Sequence, residues 1–185
     1  MLLPDLGWLD TNRCRTMDSG QIINKVEASG LVQLELKDLL PNVDVVGLDL
    51  APFLWQGMVL REKEFRQEMK ELRAAEWSKA TVALHCSADA IIPDWAWMLA
   101  SSAVLDAGST VEIGDVASVR TRLHVLHISS MDVSAYAEAR VVVKGCSDWG
   151  GAEVLSALVC RLQPVVKSLM FGEACSTVPI FKRRQ

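Results

Sequence analysis

The amino-acid sequence predicts a single α/β domain, with a substantially parallel sheet flanked by helices and an antiparallel β-hairpin at its N-terminal end. Three observations carry this. Residues 31–50 contain two short stretches in which apolar and polar residues alternate with period two, the mark of half-buried strands. From residue 80 onward, apolar runs of strand length alternate with longer segments of helical period, as βα units do. The chain has 185 residues, of which 50% are hydrophobic, enough to bury one core.

The elements run in order along the chain. Leu31-Val-Gln-Leu-Glu-Leu36 and Val43-Asp-Val-Val-Gly-Leu-Asp-Leu50 read as strands, with Leu39-Leu-Pro-Asn42 turning between them to form the hairpin. Arg61–Arg73 mixes acidic and basic residues around Phe65, Met69 and Leu72, which makes a surface helix with a narrow apolar stripe. Ala80–Leu84 is a strand, and Pro93 suits the first turn of a helix over Trp95–Leu105. Trp95, Trp97 and Met98 are expected in its packed face. Thr110–Ile113 is a strand and Val116–Ile128 a helix; Val141–Val143 is a third strand of this series, leading to a helix from Ala152. Pro164 splits that helix, and Val165–Phe171 is read as its continuation, ending at Gly172 as a C-cap.

Residues 1–16 show no clear period and precede a second methionine, Met17. They are expected to be an N-terminal extension, with the α/β domain occupying 17–185. The formal charge of −4 and the absence of a long basic block argue against nucleic acid as a partner. The most apolar stretch, Ala90–Leu105, contains Pro93 and Asp94 and is too short for a membrane span. No signal-peptide pattern precedes the five cysteines, so a cytoplasmic protein is expected. In a reducing compartment, patterned cysteines bind metal or do chemistry more often than they form disulfides.

Three of the cysteines sit in Cys-Ser pairs at the ends of regular elements: Cys86-Ser87, Cys146-Ser147 and Cys175-Ser176. The first two follow strands and precede helices, which should bring both to the carboxyl edge of the sheet, where ligands bind in parallel α/β folds. A thiolate near a helix start has a lowered pKa. Cys160 is flanked by apolar residues at helical spacing and is expected in the core, and Cys14 lies in the extension. Cys-Ser after a strand can also be a small buried residue followed by a helix cap. No Cys-x-x-Cys occurs, so the pattern is looser than a zinc-finger spacing. His85 should pack rather than ligate, since it faces away from Cys86 on the strand. Asp89 and Asp148 are candidate ligands, acid/base groups or helix caps, and Trp149 stands beside Cys146. His124 and His127 lack a cysteine partner, and neither Gly-x-Gly-x-x-Gly, a Walker pattern nor Gly-x-Ser-x-Gly is present.

The segments Ile23–Leu31, Cys86–Leu99, Val143–Ser147 and Leu162–Pro179 together resemble an uncharacterised bacterial family of the Bacteroidetes, domain of unknown function 2480, over about residues 20–183. The resemblance brings no established activity; it implies a link to the proteins that assemble iron–sulfur clusters. Where the family has proline before its last cysteine, this chain has Ala174.

These readings favour a three-thiolate site of Cys86, Cys146 and Cys175 that holds an iron–sulfur cluster with one open position. Zinc on the same ligands is the first alternative. A metal-free thiol-redox or sulfur-transfer protein is the second, and an interaction module using the charged helix Arg61–Arg73 is the third.

Overall fold

A computed structural model describes residues 30–72, 77, 79–145, 151–173 and 176–184. Seven strands and five helices are formed among the described residues: β1 (Leu31–Glu35), α1 (Leu36–Leu39), β2 (Val45–Asp49), α2 (Glu62–Glu71), β3 (Thr81–His85), α3 (Asp94–Asp106), β4 (Thr110–Ile113), α4 (Val116–Ser130), β5 (Arg140–Lys144), α5 (Gly151–Leu162), β6 (Ser168–Glu173) and β7 (Ser176–Lys182). The strands make two sheets, ordered β1-β5-β6-β7 and β2-β3-β4. Every pairing is parallel except β6 with β7. The α/β class and the parallel character stand as expected; one sheet has become two.

The middle strand of each sheet shows why parallel pairing suits it. In β3, Val82, Ala83 and Leu84 are all fully buried, as are Val141 and Val142 in β5, because helices or neighbouring chain cover both faces. On one side of the three-stranded sheet, α3 presents Ala96, Ala100 and Val104 at spacings of four, all fully buried. Small side chains let that helix lie close to Val82 and Leu84, and Phe65 and Met69 of α2 complete the same cluster. On the other side, Val119 of α4 packs with Val45 and Ala83. The far end of α4 carries Ile128 into a different cluster, with Val141, Val143, Leu158 and Leu169. One helix therefore joins the packing of both sheets.

The N-terminal strands occupy the expected region, but they do not pair with each other. β1 pairs with β5 and β2 with β3. The linking residues form the short helix α1, then Pro41; Leu34 of β1 enters one cluster with the linking Leu36 and Leu40, and Leu48 of β2 enters the other. The C-terminal part also departs from the expected helix. Helix α5 stops at Leu162, and residues 168–173 are strand β6, with Leu169 and Phe171 on the same side as their partners Val141 and Val143. Pro164 lacks the N–H that a continuing helix would need. Gly172 is thus no helix cap. It lies within β6 at φ +119, where a Cβ would come 2.7 Å from the Ser176 carbonyl oxygen. Trp95 and Trp97 pack against the core as expected, whereas Met98 is exposed.

Candidate functional site at the strand ends

The carboxyl ends of the parallel strands form two separate edges. At the three-stranded edge, the chain leaves β2 at Asp49 and β3 at His85, and these ends are tied by the Leu50 N–H, which donates to the His85 carbonyl oxygen at 2.8 Å. The Asp49 carboxylate organises the chain beyond both ends. Its Oδ1 accepts the backbone N–H groups of Ala51 and Ser87, each at 2.9 Å, and its Oδ2 accepts the Ser87 hydroxyl at 2.5 Å. Burial pushes the Asp49 carboxyl up, but the hydrogen bonds from Ser87 and Ala51 and the nearby His85 outweigh it and hold it below the usual aspartate range. One carboxylate thus fixes the turns after both strands, and Cys86 directly precedes the anchored Ser87.

Cys86 is half-buried against the apolar cluster of α2 and α3, with Sγ donating to the Ala88 carbonyl oxygen at 3.6 Å. His85 turns back along its strand, Nδ1 lying 3.3 Å from the Ala83 carbonyl oxygen, in keeping with a packing role. Asp89 is exposed. The Asp49 oxygens are already occupied by N–H and O–H donors.

The second edge belongs to the four-stranded sheet. Lys144, at the end of β5, reaches Glu173 at the end of β6 (3.1 Å) and Glu35 at the end of β1 (3.8 Å), and Glu35 also pairs with Lys37 at 2.8 Å. The Lys37 ammonium, ahead of the Lys144 charge, holds the Glu35 carboxyl below its ordinary value. These side chains, with Leu36 and Gly145, line a hollow of about 120 Å³. A Cβ on Gly145 would meet the Phe171 ring at 3.1 Å, so glycine lets that ring lie over the strand end. Gly145 is the residue before Cys146, and Glu173 and Ser176, paired across the β6–β7 hairpin, flank Ala174 and Cys175 in the sequence.

Cys146, Asp148, Trp149 and Cys175 lie outside the described residues, as do Cys14 and residues 1–16. The expectation that Cys86 and Cys146 follow strands of one sheet is corrected: β3 and β5 belong to different sheets. Cys160 is corrected too. The buried stripe of α5 is Val154, Leu158 and Leu162; two residues past Leu158 the helix has turned about 200°, and Cys160 is exposed. His124 is buried on α4, with Nε2 3.3 Å from the Pro41 carbonyl oxygen. Among the described residues, no group of three His, Cys, Asp or Glu side chains is arranged to hold a metal ion, and no helix is long and apolar enough to cross a membrane.

Sequence reasoning missed Asp49, Glu35, Lys144 and Glu173. Each is a charged residue closing or following an apolar strand run, and that was the available signal.

A family model matches residues 20–183, most of the chain. The chain belongs to the family described as protein of unknown function (DUF2480). The match spans both strand edges and all three Cys-Ser pairs. No curated protein and no solved structure matches the chain.

Proposed function

We propose that the protein is a cytoplasmic metal-binding protein that holds an iron–sulfur cluster on Cys86, Cys146 and Cys175, leaves one cluster position open, and works beside the proteins that assemble such clusters. The observation that carries this reading is the register of β5 and β6. It brings Gly145 and Glu173, which stand one and two residues before Cys146 and Cys175, to the rim of one hollow. Lys37 and Lys144 at that hollow are paired with Glu35 and Glu173, so its charges balance. Cys86 stands at the matching edge of the other sheet, so the reading requires it to lie within reach of both. Soft thiolate sulfur selects iron–sulfur clusters or zinc. Zinc on the same ligands is the alternative loading, told apart by the absence of acid-labile sulfide and colour.

The interaction-module reading has less support, because the charges of α2 pair locally, Arg61 with Glu64 and Arg66 with Glu62. The test is a set of single Ser substitutions at Cys86, Cys146 and Cys175 in protein purified without oxygen. Each should lose most of its bound iron and sulfide while Cys160→Ser keeps them. A Cys86→Ser protein with wild-type metal content would remove Cys86 from the site.

A further inference from the structure

The cores of the two sheets meet at a seam that the chain crosses twice. In α4, Leu123 packs with Val119, Val45 and Ala83 on the three-stranded sheet, whereas Val125 and Ile128 pack with Val141 and Val143 on the four-stranded sheet. In the linker between β1 and β2, Leu40 enters the core of the four-stranded sheet and Val43 packs with Val45 and Ala83. His124 stands at the first crossing and Pro41 at the second, and His124 Nε2 lies 3.3 Å from the Pro41 carbonyl oxygen. Among the described residues, His124 is the one buried side chain that can ionise.

A carbonyl oxygen only accepts, so Nε2 carries the proton of the neutral ring, and a second proton goes to Nδ1, which is buried. Burial disfavours the charged ring and holds its pKa below the ordinary histidine value; the Pro41 carbonyl acts the other way, and the charges of Arg120 and His127 add to the effect of burial. The remaining charged groups of the elements packed around the seam are exposed or engaged elsewhere. Asp38 and Asp44 are exposed, and Lys37 pairs with Glu35. Asp49 accepts from Ala51 and Ser87, Glu153 of α5 lines a hollow with Arg122, and Arg161 of α5 donates to the Met131 carbonyl oxygen.

We propose that His124 is an acid-sensitive latch between the two sheets: neutral, it holds the linker to α4 through Pro41, and protonated, it places a charge in the seam and releases that contact. The inference is independent of the thiolate reading. The two strand edges belong to the two sheets that the latch joins, so release changes how those edges are held. The closed seam binds the proton less readily than the open one. Its stability is therefore fully present above the ordinary histidine value of about 6.5 and is lost as pH falls below it towards the lower folded value, the opening constant rising by up to about tenfold per pH unit. The test is hydrogen exchange of the full chain at about pH 7.5 and about pH 5.5, corrected for the intrinsic pH dependence of the rate. The amides of Leu40 and of α4 around His124 should lose protection in acid, while those of Val82 and Leu84 in β3 keep theirs. His124→Gln retains an N–H donor for Pro41 but does not titrate in this range, so it should abolish the pH dependence, whereas His127→Gln should keep most of it. Should the His124→Gln protein fail to fold, an NMR titration of the wild-type imidazole decides: His124 should be neutral with its proton on Nε2 near neutral pH, and should gain the second proton in step with the loss of protection. Protection that does not change with pH, an unchanged pH dependence in folded His124→Gln, loss of protection in β3 in step with the seam, or an imidazole that titrates at or above the ordinary value would each overturn the proposal.

Discussion

Replacing Asp49 with alanine tests whether one carboxylate holds the turn that carries Cys86. The substitution removes the acceptor for two backbone N–H groups and one hydroxyl. Losing a capping acceptor costs about 1 kcal/mol, and the further hydrogen bonds raise the loss to about 1–2 kcal/mol, because solvent reaches the site and takes over part of the bonding. For a chain of this size that lowers Tm by roughly 2–8 °C. Asp49→Asn keeps one oxygen, the one that serves both N–H groups, and should lose less than Asp49→Ala. The folded-state pKa of Asp49 is depressed, so its contribution is fully present above the ordinary aspartate value of about 3.9 and is lost as pH falls through the lower folded value. The Tm gap between wild type and Asp49→Ala should therefore be constant from neutral pH to about pH 5 and close in more acid solution. Thermal melting by circular dichroism measures the gap, and peptide-resolved alkylation reads the turn directly: Cys86 should react faster in Asp49→Ala. A variant that melts with the wild type at neutral pH and leaves Cys86 alkylation unchanged would refute the reasoning.

Two further substitutions separate core from surface. Phe65 is 1% exposed and meets Phe53 and Trp95 edge-on, at centroid distances of 5.8 and 5.9 Å, so Phe65→Ala should cost about 3–5 kcal/mol in chemical denaturation; a loss under half of that would show that the cluster collapses onto the gap. Cys160→Ala, on the solvent side of α5, should change stability by less than about 0.5 kcal/mol, and a larger fall would return Cys160 to the packed interior.

Much of the fold was legible where a local pattern determines an element. β3 and β5 are short apolar runs bounded by polar residues, and Pro93 marks a helix start. Pairing was less legible. Alternation in β1 and β2 reports that one face is buried, not which strand lies alongside, and the chain between them was free to send each to its own sheet. Val165–Phe171 illustrates a second limit, since a short apolar run fits a strand or a buried helix equally well. Cys160 shows a third: in a helix with apolar residues on most positions, helical spacing alone does not identify the buried stripe, and Leu158 rather than Cys160 lies on it. The candidate site divides in the same way. Cys86 at a strand end was readable from the order of elements, whereas Asp49 acts on Ser87, which is 38 residues away, and the Glu35–Lys144–Glu173 group exists only because β1, β5 and β6 are neighbours.

The central claim is that the Cys-Ser pairs supply thiolates to one metal centre. Iron, zinc and acid-labile sulfide should be quantified per chain in wild-type protein made in iron- and zinc-replete cells and purified without oxygen. Iron and sulfide in stoichiometric amounts, with the absorbance of a cluster, are the expected result, and chelation should then lower Tm because the metal stabilises only the folded chain. Protein that is free of iron and zinc under these conditions would contradict a metal centre of either kind.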